Sequence, residues 1–258
     1  MRITVIGHGY VGLITAAVFA DLGNDVWVIG RTAEKIAKLN LGHPPFFEPG
    51  LEELLKRNLT GGRLHFTLDY KKGVDSSKII FICVGTPSKT SGEAYLSSVF
   101  AAAGKIGENL KDYTVVVTKS TVPVGTNRKV QEIVRKNITN KKTEFDIASC
   151  PEFLREGSAI SDTQNPDRIV IGCESNKAKE LLLDLHKPID GERVISTIET
   201  AEMIKYASNA LLSVKISFAN AMSFICEEVK ADVEMVLTGV GLDKRLNRSF
   251  LYPGVGYG

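Results

Sequence analysis

Three groups of residues in this 258-residue chain have the types and spacing that chemistry needs. The first is Gly7-His8-Gly9-Tyr10-Val11-Gly12, a G-x-G-x-x-G run after an apolar stretch and ahead of residues at helical spacing. In that setting the first glycine makes a tight turn, the second lets the backbone approach a pyrophosphate, and the third lets helix and strand pack closely. The phosphates then lie at a helix N-terminus, where free N–H groups and the helix dipole favour anions. The pattern predicts a dinucleotide site built on Gly7, Gly9, Tyr10, Val11 and Gly12.

The second group decides which dinucleotide. A fold that prefers NAD ends its second strand in Asp or Glu, about 20 residues on, to hold the ribose 2′-hydroxyl. Here that strand ends in Gly30-Arg31-Thr32. Nothing at that position repels a 2′-phosphate, while Arg31 offers a guanidinium fork and Thr32 a hydroxyl donor. The expectation is NADP or relaxed use of NAD and NADP; the alternative is that Arg31 stacks on adenine or faces solvent. Val84-Gly85-Thr86-Pro87 follows a strongly apolar strand, so Val84, Gly85 and Thr86 are expected to border the cofactor beyond the strand ends.

The third group carries polar and charged side chains. Lys119-Ser120-Thr121 follows one predicted strand and Cys150-Pro151-Glu152-Phe153-Leu154-Arg155-Glu156-Gly157 follows the next. Lys205 and Asn209 lie four apart, on one face of a predicted helix. A Lys and an Asn so placed, near hydroxyl and carboxylate groups at strand ends, suit a developing oxyanion beside a nicotinamide.

These residues need elements to hold them. Apolar runs at 2–6, 25–29, 64–67, 78–84, 114–118, 146–149 and 168–171 read as strands, and 10–22 has helical periodicity. Runs this apolar suit strands covered on both faces, and helical crossovers imply a doubly wound parallel sheet, an α/β Rossmann fold. From 199 to about 230 there is neither proline nor glycine, which predicts one long helix of ~45 Å or two helices with a break. The domains expected are 1–197, binding dinucleotide, and 198–258, the long helix with the start of a substrate and dimerisation region.

Composition sets the outer limits. With 43% hydrophobic and 24% charged residues and net charge +2, no basic stripe supports a nucleic-acid or anionic-membrane partner. No run reads as long and apolar enough for a membrane span, and no signal-peptide layout is expected from Met1-Arg2 and the apolar residues after it. Cys83, Cys150, Cys173 and Cys226 lack C-x-x-C spacing and read as buried reduced thiols rather than disulfides or metal ligands. The compartment expected is cytoplasmic, and no metal is expected.

Gly7 to Gly12, Glu48-Pro49-Gly50-Leu51, 84–87, 120–126, 151–157, 201–209 and 250–258 together resemble the UDP-glucose/GDP-mannose dehydrogenase family, in the correct order along the whole chain. The 205–210 and 241–245 segments resemble bacterial or archaeal UDP-glucose enzymes more than GDP-mannose ones. The resemblance implies two hydride transfers that take a sugar C6 alcohol to the acid through a cysteine-bound thioester, as in UDP-glucose to UDP-glucuronate. It implies that Thr121 and Glu152 position and activate water, and that Lys205 and Asn209 steady the C6 oxygen. Glu156, with Thr121, would lie by the nicotinamide; Phe153, Leu154, Arg155, Phe250 and Tyr257 would meet the UDP-sugar. A homodimer through the long helix is expected of the full-length protein. One departure matters: the family's nucleophilic cysteine follows the 250–258 loop, and none of the four cysteines occupies that motif. The chain thus reads as the front part of such an enzyme, complete for cofactor and inactive alone. GDP-mannose or UDP-N-acetylhexosamine dehydrogenases, a β-hydroxyacid dehydrogenase and a stand-alone dinucleotide-binding module remain alternatives.

Overall fold

Strands of β-branched residues covered on both faces form the centre of the protein, as in β4, where Ile79, Ile80, Phe81 and Ile82 are all buried. The computed structural model describes residues 1–255. Strand β1 (Arg2–Ile6) leads into helix α1 (Tyr10–Asp21), β2 (Asp25–Ile29) into α2 (Ala33–Asn40) and α3 (Leu51–Thr60), and β3 (Leu64–Thr67) into α4 (Tyr70–Val74). Next come β4 (Ile79–Ile82) and α5 (Ser97–Asn109), β5 (Thr114–Thr118) and α6 (Thr126–Asn137), and β6 (Phe145–Ser149) and α7 (Ala159–Gln164). The chain continues through β7 (Arg168–Cys173), α8 (Asn176–His186), β8 (Glu192–Ser196), α9 (Ile198–Val229) and α10 (Val233–Gly241).

The strands form one eight-stranded sheet in the order β3-β2-β1-β4-β5-β6-β7-β8. Alternate residues feed two cores. Val5, Phe81 and Val117 face one with Leu13, Leu55 and Leu182, while Ile6, Ile82 and Val116 face the other with Val99, Ile106 and Val130. Helices therefore cover both faces, as doubly wound folds require. The chain winds outward from β1 to β3, then restarts at β4 and winds the other way. That reversal leaves a crevice at the carboxyl ends of β1 and β4, where ligands of such sheets bind.

Two features differ from the sequence expectation. The β6–β7 ladder is antiparallel, so the sheet is mixed rather than wholly parallel. The ladder joins only Ala148 to Cys173 and Ser149 to Gly172, and the connection before β7 is mostly loop, with the six-residue α7 in it. The last strand, β8, was not expected at all: Glu-Arg-Val-Ile-Ser is half-buried or exposed along its length and has no apolar run.

Contacts divide the chain into Met1–Met203 and Ile204–Gly258. The boundary falls inside α9, a single helix of 32 residues without a break, ~48 Å long. By length and composition α9 is apolar enough to cross a membrane, which corrects the expectation that no stretch qualifies. Its first turns are instead engaged with the sheet domain: Glu199 pairs with Arg128 at 2.7 Å and Ala201 is fully buried. Within the second unit, Asp232 caps α10 through the amides of Glu234 and Met235. The amide side chain of Asn220 makes paired bonds with Gly254, donating to its carbonyl and accepting from its N–H, both 2.8 Å.

Candidate functional site

The turn after β1 is built so tightly that only glycine fits twice. A Cβ on Gly7 would lie 2.4 Å from the Cys83 carbonyl oxygen, and one on Gly12 would lie 2.2 Å from the Gly7 carbonyl oxygen. Both contacts are backbone and cannot give way. At Gly9 the same Cβ meets nothing within 4 Å. Gly9 is also the N-cap of α1 and supplies no side-chain cap, so among the described residues the start of α1 borders an open space at Gly9. An opening of that kind, over a helix N-terminus at the sheet's switch point, fits the pyrophosphate of a dinucleotide.

Beyond β2, Gly30 leaves room in which a Cβ would press on the Ile36 Cδ1 at 2.5 Å and reach 3.2 Å from His8 Nδ1. Arg31 and Thr32 are exposed. Burial holds the His8 imidazole below its usual pKa, and the neighbouring cations of Lys35 and Arg31 push it lower still. Arg31 and Lys35 thus set positive charge beside a His8 ring held toward its neutral form, with no carboxylate among the three.

The loops after β4 and β5 are laced together. Thr86 Oγ1 donates to the Thr121 carbonyl at 2.8 Å, and Ser120 Oγ donates to the Val84 carbonyl at 2.7 Å. Val84, Gly85, Thr86 and Thr121 therefore share one rim of the crevice. Lys119, buried beneath them, donates to the Cys150 carbonyl at 3.4 Å and lies 5.9 Å from the Phe81 ring centroid.

The loop after β6 has its own internal order. Glu152 accepts the amide of Leu154 at 2.7 Å, and the Arg168 guanidinium stacks 3.9 Å from the Phe153 ring centroid. Arg155 is forked onto Asp162, with bonds of 2.6 and 3.1 Å. Burial alone would raise the Asp162 carboxyl; the Arg155 fork, the Arg155 amide and Ser158 outweigh it and hold it low. Glu156 and Gly157 are exposed at the loop's end.

Two buried carboxylates that sequence reasoning passed over hold these loops. Glu202, 2% exposed, accepts the amides of Gly125 at 2.7 Å and Asn127 at 2.9 Å, and the Asn127 side chain at 2.7 Å. It caps α6 from a position on α9, directly after the Ser120 to Gly125 loop. Glu48 holds the far end of the β6 loop in a similar way. Their backbone donors lie at least 75 residues away in sequence, so no local signal announces this role, although 48–51 and 201–209 both carry the family resemblance.

Lys205 and Asn209 fall in the second unit, on one face of α9; Lys205 is buried and Asn209 exposed. Phe250, at a left-handed φ of 62°, stacks with Tyr252 at 6.0 Å between ring centroids. Tyr257 lies outside the described residues. All four cysteines are free, with Cys173 half-buried rather than buried. Burial pushes the Cys83 thiol up to about 12 and raises those of Cys150 and Cys173, against the opposing pull of Lys119 on the first two. These three are poor thiolates and poor nucleophiles. Among the described residues no cluster of three His, Cys, Asp or Glu is placed to hold a metal.

Comparison with known proteins agrees with this geometry. Residues 1–190 match the UDP-glucose/GDP-mannose dehydrogenase family's NAD binding domain, and residues 199–258 match that family's central domain. UDP-glucose 6-dehydrogenase TuaD of Bacillus subtilis is 50% identical over all of this chain, which spans 56% of the relative's length. The structure of a UDP-glucose dehydrogenase from Pyrobaculum islandicum superposes with a TM-score of 0.96 at 41% identity, over 100% of this chain and 60% of that one. GDP-mannose dehydrogenase from Pseudomonas aeruginosa follows at 0.92 and 36%, over 98% of this chain and 60% of that one.

Proposed function

The chain belongs to the UDP-glucose/GDP-mannose dehydrogenase family, and from that premise we propose that it supplies the cofactor-binding part of an enzyme of full family length that oxidises a nucleotide sugar at C6, taking UDP-glucose to UDP-glucuronate. The observation that carries this reading is the open glycine cradle at the switch point between β1 and β4, with the loops bearing Thr121 and Glu152 one and two strands further along the sheet. UDP-glucose is preferred to GDP-mannose because identity is higher to the UDP-glucose dehydrogenase structure, 41% against 36%.

Conversion of CH2OH to COO⁻ consumes one water and releases four electrons as two hydrides, with three protons. The nicotinamide dinucleotide, when bound, accepts the hydrides. The residues of this chain do the rest. Gly7, Gly9, Tyr10, Val11 and Gly12 hold the phosphates with backbone amides; Val84, Gly85, Thr86 and Glu156 border the nicotinamide. Thr121 and Glu152 orient water and take its proton. Lys205 donates to the C6 oxygen as charge builds there, with Asn209 beside it on the helix face. Phe153, Leu154, Arg155, Phe250 and Tyr257 meet the sugar nucleotide. The carboxylate-free cluster of His8, Arg31 and Lys35, with the Thr32 hydroxyl, favours NADP.

A homodimer follows from α9. Leu211, Val214, Phe218, Ala221 and Ile225 are exposed at three- and four-residue steps, the spacing of a helix seam that packs against a second helix. The four free thiols suit a cytoplasmic setting.

A four-electron oxidation needs a covalent aldehyde-level intermediate, which requires a positioned thiolate. Residues 1–258 alone, incubated with cofactor and UDP-glucose, are expected to give no reduced dinucleotide. A protein carrying the relatives' full length is expected to give two equivalents per sugar. UDP-glucuronate made by residues 1–258 alone, or none made by the longer protein, contradicts the proposal.

A further inference from the structure

Glu48 has a buried carboxylate, 4% exposed, that none of the roles above uses. It stands between α2 and α3, where Gly50, at a left-handed φ of 81°, turns the chain straight into α3. Leu51, Leu54 and Leu55 of that helix are buried in the core against α1, so the carboxylate is held by a rigid support. Its Oε2 accepts the Tyr10 hydroxyl at 2.5 Å and the Gly157 amide at 2.9 Å; its Oε1 accepts the Ala159 amide at 2.8 Å. The Ile160 amide also donates to it. Burial works against the charged form, but these four donors outweigh burial and keep the carboxyl below its usual range.

The donors come from two places that matter. Tyr10 is the first residue of α1, at the phosphate-binding end of the helix. Gly157 and Ala159 end the loop that starts at Cys150 and carries Glu152 and Glu156. Three further contacts tighten the same join: the Tyr10 hydroxyl lies 3.5 Å from the Arg155 carbonyl, the Tyr10 ring lies 5.0 Å from that of Phe46, and the Glu156 charge is close enough to raise the Tyr10 phenol further. We infer that Glu48 is a positioning residue, tying the start of α1 to the β6 loop so that seating a dinucleotide and setting Glu152 and Glu156 become one event. The inference rests on reading the glycine-rich turn as a dinucleotide site. Charged acceptors make short, strong bonds, so a shift of the α1 amides toward phosphate is passed through Tyr10 to a carboxylate whose other arms hold the loop.

Tyr10→Phe separates this link from simple capping, because it removes one bond and leaves Glu48 its three amides. Hydrogen exchange is measured at amides 153–160, with and without saturating NADP⁺ or NAD⁺. In the wild type, dinucleotide is expected to slow exchange there by roughly tenfold. In Tyr10→Phe, dinucleotide is expected to bind at higher concentration while most of that protection disappears. A capping role alone would speed exchange equally in free and bound states and leave the ratio unchanged, which would overturn the inference. Glu48→Gln, which sets an NH2 group against an amide donor, is expected to lose the protection too; if it fails to fold, Tyr10→Phe decides. A wild type that binds no dinucleotide strikes down the cofactor reading itself. Binding without loop protection strikes down only the coupling.

Discussion

A single methyl group has different consequences at different glycines of this site. At Gly7 it would meet a backbone carbonyl at 2.4 Å, and at Gly12 another at 2.2 Å, so substitution there damages the protein itself. At Gly30 it would meet side-chain atoms, of Ile36 at 2.5 Å and of His8 at 3.2 Å, which can shift where a backbone carbonyl cannot. The position before Arg31 is therefore open to redesign. Gly30→Asp with Arg31→Ile replaces a guanidinium by a carboxylate aimed at the 2′ position. It is expected to swing preference from NADP toward NAD by roughly tenfold or more, the value of one charge-assisted bond. Calorimetric affinities for both dinucleotides test it, and a wild type that already binds NAD tenfold tighter than NADP sinks it. At this scale the glycine pattern and the missing second-strand carboxylate were readable from sequence. The acceptor roles of Glu48 and Glu202 were not, because a buried carboxylate's worth here depends on backbone donors at least 75 residues away.

At the scale of elements, apolar runs located β1 to β5 well, since a strand buried on both faces carries an unbroken signature. The signature fades toward the far edge. β8 is half-buried at best, and the composition of β6 and β7 carries no sign of the antiparallel direction in which they pair. The absence of proline and glycine located α9, and the structure resolves it as one helix rather than two. Its exposed stripe has a physical consequence. An apolar seam of five positions left in water is unfavourable by roughly 1.5–3 kcal/mol for each large side chain. Phe218→Lys, at the centre of that stripe, is expected to weaken self-association by about tenfold or more in the protein of full family length, read as mass by light scattering across a dilution series. A wild type that stays monomeric at high micromolar concentration, or a variant that dimerises as before, contradicts the seam.

The whole molecule is arranged around one reversal of chain direction. Because β4 returns to the side of β1, the glycine-rich turn and the 84–87 loop meet at the same edge, and the loops after β5 and β6 follow in order along it. Topology of this kind was legible because alternating strands and helices admit few right-handed windings. The helix residues Lys205 and Asn209 entered the reading through their shared helix face, and family resemblance then gave them their role at the C6 oxygen. The central claim is that the open space over Gly9 is where a dinucleotide's pyrophosphate sits, and calorimetric titration of the wild type and Gly9→Val with NAD⁺ and NADP⁺ tests it most directly. Valine at residue 9 meets no protein atom at its Cβ, so the variant is expected to fold and melt like the wild type. It is expected to lose saturable dinucleotide binding, because its side chain fills the space the phosphates need. Undiminished affinity in Gly9→Val, or no saturable binding in the wild type, would contradict the account.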